Sequence, residues 1–344
     1  MEFNTNKTYL QDILKMLLNT PSPSGYCHKI MDKVEKKVKD LGYGFEKIKK
    51  GCGIITIPGE NPDYTIGLSA HVDTLGAMVR SIKSSGTIRY TSIGGYMMST
   101  VEGEYCKIHT RSGKVYDGTV LTTKPSVHVY SDAKDQKREE ENMEIRIDEL
   151  VESKEDVEAL GIDTGDFISF DSRATIMENG FIKSRHLDDK AGVAILFGLM
   201  ELLKSNKLIP KNNIKIFIST YEEVGHGASF IPDDIDELIA IDMGAMGDDL
   251  NCKETQVSIC AKDSSGPYDY GIVSKLVELA KKNDIDYAVD IYPRYGSDVS
   301  AALSGGNNIT GGLIGPGVHA SHSMERTHMK GLINTIKLLV AYIM

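Results

Sequence analysis

The sequence predicts an α/β fold: a mixed sheet flanked by helices, with a small β-rich domain inserted into it. Three observations point there. Short apolar runs alternate with amphipathic stretches in the first and last parts of the chain. A middle region, residues 74–173, has no long amphipathic helix and is rich in Thr, Val, Tyr and Gly. Histidines and carboxylates collect just past the apolar runs. Alternating strands and helices call for a sheet covered by helices, and 344 residues are enough for about two domains.

Residues 27–43 place Ile30, Val34, Val38 and Leu41 at helical spacing and reach Gly42, a stop signal. Residues 64–70 (YTIGLSA) are too short for a helix and read as a buried strand ending at His71. Within the middle region, segments 103–109, 113–122 and 126–130 read as short strands separated by turns. Apolar residues interrupt the charged run 134–158, so it reads as loop, strand and short helix rather than as a binding tail. The alternation then resumes: a helix at 191–205, strands at 214–218 and 238–241, and a helix at 268–283. Strands at 286–292 and 309–314 and a last helix at 327–344 complete it. The expected boundaries are 1–73 and 174–344 for the two parts of the main domain, with 74–173 inserted between them. There is no internal repeat and no low-complexity tract.

Charge narrows the function. Lys and Arg number 39 against 49 Asp and Glu, a net charge of −10, which disfavours nucleic acid and anionic lipid as partners. The surplus carboxylates leave metal binding open. The 5 cysteines are odd in number and show no CxxC spacing, which argues against a disulfide framework or a cysteine-zinc site and for a reducing compartment. Residues 1–7 lack the layout of a secretory leader, and no run approaches the length of a membrane span. The expectation is a soluble, cytoplasmic protein.

The chemistry gathers at the ends of elements, where open α/β sheets place their ligands. The strand at 64–70 ends in His71-Val72-Asp73, that at 214–218 runs into Glu222-Glu223, and that at 238–241 ends in Asp242. His186-Leu187-Asp188-Asp189 precedes the helix at 191, and His319 and His322 follow the strand at 309–314. Each piece alone has a plain structural reading. His-x-Asp suits a surface turn, Asp188-Asp189 a helix cap, and Asp242 a turn. Adjacent Glu222-Glu223 are costly at a buried strand end unless a cation is present. Together they supply a two-metal hydrolytic site: a bridging carboxylate, His and carboxylate ligands on either side, and a carboxylate left over as base. Met97, Met98, Met243 and Met246 read as core filler. His28, His109 and His128 lack partners at ligand spacing, and Gly305-Gly306 and Gly311-Gly312 lack the companions of a nucleotide loop.

The order His-x-Asp, Asp, Glu-Glu, Asp, His, with its local sequence, resembles the M42 metallo-aminopeptidases, the glutamyl and tetrahedral aminopeptidases. The matching stretches are PSPSGY (21–26), SAHVDTLGAMV (69–79), SRHLDDKAG (184–192), STYEEVGHGAS (219–229), AIDMG (240–244) and HSMER (322–326). ESKEDVEALGIDTGDFISFD (152–171) is similar to that family's exit from its inserted domain. The resemblance implies hydrolysis of N-terminal residues from peptides with a free amine. It implies two divalent ions per subunit, zinc or cobalt first and manganese after them. Asp188 would bridge the ions; His71 and Asp242 would complete one shell, Glu223 and His322 the other. Glu222 would be the general base, and Asp73 would orient His71. Asp189 competes with Asp188 for the bridge and His319 with His322 for the last ligand; by the resemblance, the bulky Leu187 directly before it favours Asp188, and the following Ser323 and Glu325 favour His322. The insertion would mediate homo-oligomer contact, as dimers building a hollow tetrahedral dodecamer. Thr74-Leu75 and His226 depart from the family pattern at positions that affect the rim rather than the ligands. Other readings of the same residues are a two-metal carboxypeptidase or deacylase, a glucanase using Glu222 with Asp188, and a non-catalytic metal-binding scaffold.

Overall fold

A computed structural model describes residues 5–344; the first four residues of the stretch read for a leader lie outside them. The main sheet has ten strands, and its centre is parallel: Asn212–Ser219, Asn61–His71, Glu237–Ile241 and Thr310–Val318 lie side by side. Gly53–Ile57 joins one flank antiparallel and Val257–Asp263 the other, so the sheet is mixed. Tyr287–Ile291 extends the second flank in parallel.

Both faces of the central strands are largely buried, which is why 238–241 reads as a continuous apolar run, whereas 214–218, with Lys215 between Ile214 and Ile216, alternates. In Glu237–Ile241, Ile239 and Ile241 face the larger core, while Leu238 and Ala240 face a smaller one. The larger core takes the apolar stripes of the long helices Lys7–Leu18, His28–Asp40, Leu187–Ser205, Tyr270–Lys282 and Met329–Ile343. Leu187–Ser205 is buried nearly all round, because it lies between the sheet and the first and last of those helices. The smaller core is closed by the short helix Asp298–Ser304 and by the loop that carries Ala228, Ile231 and Ile235.

The inserted region folds into a closed six-stranded barrel of Gly76–Ile82, Ile88–Ile93, Met143–Ile147, Val115–Thr122, Tyr105–His109 and Phe167–Phe170. Closure leaves no free edge to pair with another chain. The barrel has its own core, built around Val79, Tyr90, Ile108, Val120, Ile145 and Ile168. One expected strand is absent: residues 126–130 form turns, with Val127 and Val129 exposed. The charged run contains a strand, Met143–Ile147, and a short helix, Lys154–Ala159, started by a Ser153–Asp156 capping box. Lys7–Leu18, Val257–Asp263 and Asp298–Ser304 are elements that the sequence reading omits. Among the described residues, no helix is long and apolar enough to cross a membrane.

Candidate metal centre

Parallel strands discharge their chain at one end of the sheet, so four separate loops converge there. Asn61–His71 ends in His71, Asn212–Ser219 leads to the turn Glu222–Val224, Glu237–Ile241 leads to Asp242, and Thr310–Val318 leads to the His322 loop. The fifth contribution comes from the start of Leu187–Ser205. There the Asp188–Asp189 peptide is cis and neither residue has helical dihedrals, so the regular helix begins at Lys190.

That geometry separates the two neighbouring acids. The Asp189 Oδ1 atom accepts from the Gly192 backbone N–H at 3.0 Å, the bond of a helix cap, and Oδ2 accepts from the His71 backbone N–H at 3.1 Å. Asp188 faces the other way. Its Oδ1 lies 3.2 Å from His71 Nε2, and its Oδ2 lies 3.4 Å from His322 Nε2. The two oxygens of one carboxylate therefore address two histidines. His322 Nε2 is also 3.5 Å from Glu223 Oε2, and His71 Nε2 is 3.6 Å from Glu222 Oε2. Asp242 has an oxygen within 4.8 Å of donor atoms on His71 and Asp189. His319 is not brought to this cluster; its backbone pairs with Arg326 instead.

The electrostatics fit a divalent cation. Asp188, Asp189, Glu222, Glu223 and Asp242 are packed together, and among the described residues none of them pairs with a lysine or arginine. Burial, and then the charge of Asp188, push the Asp242 carboxyl up to about 7. Burial raises Glu222 as well, reinforced by Asp242, Asp298 and Glu223. His322 moves in the opposite sense: burial would lower it, but Asp188 and Glu223 hold it up at about 10. The buried Glu223 Oε1 atom has no hydrogen-bond partner, a costly arrangement for the protein alone. Imidazole and carboxylate donors of this number suit zinc, cobalt or manganese, and the residues fit such ions.

Outer contacts aim these groups. His71 Nδ1 lies 3.0 Å from the Asp73 carbonyl, which leaves Nε2 for the cluster. The Asp73 carboxylate does more than orient a histidine: it accepts the backbone N–H groups of Glu222 at 3.1 Å and Glu223 at 3.2 Å, and the Ser24 hydroxyl at 2.5 Å. Two partners escaped the sequence reading as such. Glu325 is buried and accepts the backbone N–H groups of Asp188 and His322, both at 3.1 Å, so it ties two arms of the site together. Its place in HSMER was the available signal. The Gly95 carbonyl, on the barrel side, meets His322 Nδ1; a backbone acceptor leaves no side-chain signal to read. His226 stacks on Tyr221 with ring centroids 4.9 Å apart, and Thr74 and Leu75 are buried where the chain enters the barrel.

Residues 51–338 match the family described as M42 glutamyl aminopeptidase. The chain belongs to that family. It is therefore a peptide-hydrolysing aminopeptidase of a divalent-metal class. It is 48% identical to the Bacillus subtilis (strain 168) protein YhfE, provisionally named an aminopeptidase, over 96% of each chain. Its fold matches a TET aminopeptidase from a marine-sediment Thaumarchaeota archaeon with a TM-score of 0.89 at 19% identity, covering 98% of this chain and 97% of that one. It matches the Pyrococcus horikoshii TET1 peptidase, which can assemble into a tetrahedron or a large octahedral shell, with a TM-score of 0.84 at 24% identity. That match covers 97% of this chain and 99% of the other.

The glycine of the aminopeptidase's DDKAG stretch has a packing reason. A Cβ on Gly192 would lie 2.0 Å from the Ile241 carbonyl oxygen and 2.3 Å from Asp189 Oδ1. Gly192→Ala must push the helix off the strand that leads to Asp242. A loss of about 3 kcal/mol in stability is expected by denaturant titration, with weakened metal retention; wild-type values for both would contradict this packing.

Proposed function

We propose that this aminopeptidase releases the first residue of peptides by attack of water on the scissile carbonyl, and that two divalent ions, zinc or cobalt first and manganese after them, would activate that water. The observation that carries the reading is Asp188, whose two carboxylate oxygens lie against His71 on one side and His322 on the other. In this reading Asp188 would hold both ions, His71 and Asp242 would hold one of them, and Glu223 and His322 the other. When bound, such a pair of cations lowers the pKa of a water and polarises the scissile carbonyl.

Glu222 stands beside His71 and is the carboxylate left to work as a base. It takes the proton of the attacking water and delivers it to the leaving amine. The backbone bonds from Asp73 hold Glu222 and Glu223 in place during both transfers. The carbonyls of Asp73 and Gly95 keep the two histidines in the tautomer that presents Nε2. The substrate's free α-amine binds against the remaining carboxylate charge, which confines cleavage to the first residue. The test compares peptides with free and acetylated N-termini on stripped and reloaded protein. Activity on the free peptide should vanish with chelation and return with zinc, cobalt or manganese. Equal hydrolysis of the acetylated peptide would favour a deacylase or carboxypeptidase instead.

Metal uptake is expected to release protons. At neutral pH His322, raised to about 10, holds its proton in the metal-free protein, and Asp242, raised to about 7, is about half protonated; both must lose these protons to become ligands. Affinity should therefore fall as pH drops below about 10, and more steeply below about 7. Calorimetry in two buffers of different ionisation enthalpy reads the proton number directly, and identical heats in both would refute it.

The proposal extends to assembly as a homo-oligomer, with dimers combining into a tetrahedral dodecamer through the inserted region. The fold match to a shell-forming peptidase supports this. So do the large apolar side chains of Tyr105, Val127 and Val129, all exposed on that region. Light scattering should give a mass well above the 37.8 kDa of one chain; a monomer at micromolar concentration would exclude it.

A further inference from the structure

One loop reaches the metal centre without carrying any of its proposed ligands. It joins strand Tyr287–Ile291, on the flank of the sheet, to the short helix Asp298–Ser304. At its end the Asp298 carboxylate accepts the Ala228 backbone N–H at 3.0 Å, which ties it to the segment that carries Glu222. A Cβ on Gly227 would lie 2.5 Å from Asp298 Oδ1 and 3.0 Å from the Glu222 backbone nitrogen, so the two groups come close there. Three residues earlier, the half-buried Tyr295 donates its hydroxyl to the Met243 carbonyl at 3.0 Å, next to Asp242. The loop therefore stands against the Glu222 segment at one end and the Asp242 arm at the other.

Tyr295 is held firmly. Its backbone N–H donates to Ser264 Oγ at 2.6 Å, and its carbonyl accepts the Ser264 backbone N–H at 3.2 Å. Its ring packs on Tyr292 with centroids 5.0 Å apart, and the Tyr292 hydroxyl is itself bonded to Ser258. A phenol fixed in this way presents its O–H with little reorganisation. The Asp242 carboxylate also lies within reach of that hydroxyl. Burial, then Asp242 and Asp188, and after Tyr292 also Glu222, hold the phenol well above its ordinary value, so it keeps its proton. A common neighbour of Asp242, Asp188 and Glu222 stands over the centre rather than behind one arm of it.

Hydrolysis puts negative charge on the carbonyl oxygen, and the other side chains of the centre are poorly suited to receive it. The carboxylates only accept, and His71 and His322 present Nε2 to the cluster. We propose that Tyr295 is a further catalytic residue, whose hydroxyl donates a hydrogen bond to the carbonyl oxygen of the scissile peptide bond as charge develops on it. The water oxygen bonds to the carbonyl carbon, and the C=O π pair moves onto the oxygen. The Tyr295 proton turns about the Cζ–Oη bond from the Met243 carbonyl to that oxygen, the stronger acceptor, and stays on the tyrosine. On collapse the pair returns, the C–N bond breaks, and the amine leaves with the proton carried by Glu222. The inference rests on the hydrolytic site proposed above and adds a donor to it.

The test compares Tyr295→Phe with wild type, both as full-length protein loaded with the same metal. Phenylalanine keeps the packing on Tyr292 and removes only the hydroxyl. The kcat should fall about a hundredfold, with KM, metal content and melting temperature close to wild type. The aminophosphonic acid analogues of leucine, lysine and glutamate imitate the tetrahedral carbon and its anionic oxygens. Whichever of them binds wild type should bind Tyr295→Phe more weakly by about the same factor, a shift that a merely structural tyrosine would not produce. In crystals of wild type with that analogue, Tyr295 Oη should lie within hydrogen-bond distance of a phosphonyl oxygen; this decides the matter if the variant does not fold. Wild-type kcat in Tyr295→Phe overturns the proposal, as does unchanged affinity for the analogue or a hydroxyl that stays on Met243 in the crystal. Loss of metal together with activity overturns it too, and makes the hydroxyl a support for Asp242. Activity that survives chelation in wild type overturns the underlying reading, a failure distinct from these.

Discussion

Glu222→Gln is expected to lower kcat by about a thousandfold while leaving the metal content at its wild-type value. The amide is nearly the size of the carboxylate, so the turn Glu222–Val224 keeps the backbone bonds that Asp73 accepts. What the variant loses is the capacity to take a proton from water and return it to the leaving amine. That capacity matters only in the transition state, so KM should change little. The wild-type environment is suited to the task. Burial and the surrounding acids raise the Glu222 carboxyl well above the ordinary range, and cations in the cluster would offset that shift and leave a base able to shuttle a proton near neutrality. Near-normal turnover in Glu222→Gln, with both metals present by elemental analysis, would remove Glu222 from this role. Loss of metal together with activity would make it a ligand instead.

Asp188→Ala should have the larger effect, because it acts on both halves of the centre at once. Its oxygens stand 3.2 Å from one histidine and 3.4 Å from the other. Removing it should abolish retention of metal at both positions and lower activity by on the order of 10⁴-fold, the value of metal-assisted charge stabilisation. The informative partner is Asp189→Asn. Asp189 spends its oxygens on the Gly192 and His71 backbone N–H groups, so its replacement should cost about 1–2 kcal/mol of stability and keep the metals. Full metal content in Asp188→Ala, or metal loss in Asp189→Asn with the fold intact, would reverse the assignment between these neighbours.

Much of the main domain was legible, for a physical reason. A parallel sheet buries both faces of its strands, so 64–70 and 238–241 read as short, mostly apolar runs that end in polar residues. The omitted elements are of two kinds. Helix Lys7–Leu18 has a cap at Asn6 and buried Leu10, Ile13, Leu14 and Leu17 at helical spacing, so its signal was present. Val257–Asp263 mixes Ser, Cys and Lys into a strand that is buried by its neighbours rather than by its own composition. Residues 126–130 failed in the opposite sense. SVHVY alternates like a strand, yet Val127 and Val129 are exposed in a turn, because the six strands of the barrel already pair with one another.

The sequence by itself determined the donor inventory and the order in which it is threaded: His71, Asp73, Asp188, Glu222, Glu223, Asp242 and His322 are all readable, since each follows an apolar run or sits in a recognisable stretch. It also determined that a sheet-and-helix domain is interrupted by a β-rich one. Only the tertiary structure decided which of two adjacent aspartates faces the histidines, because that depends on the Asp189 cap and the direction in which Asp188 leaves the helix start. It alone showed that Glu325 and the barrel's Gly95 carbonyl hold His322, since backbone bonds between distant segments leave no mark on residue type.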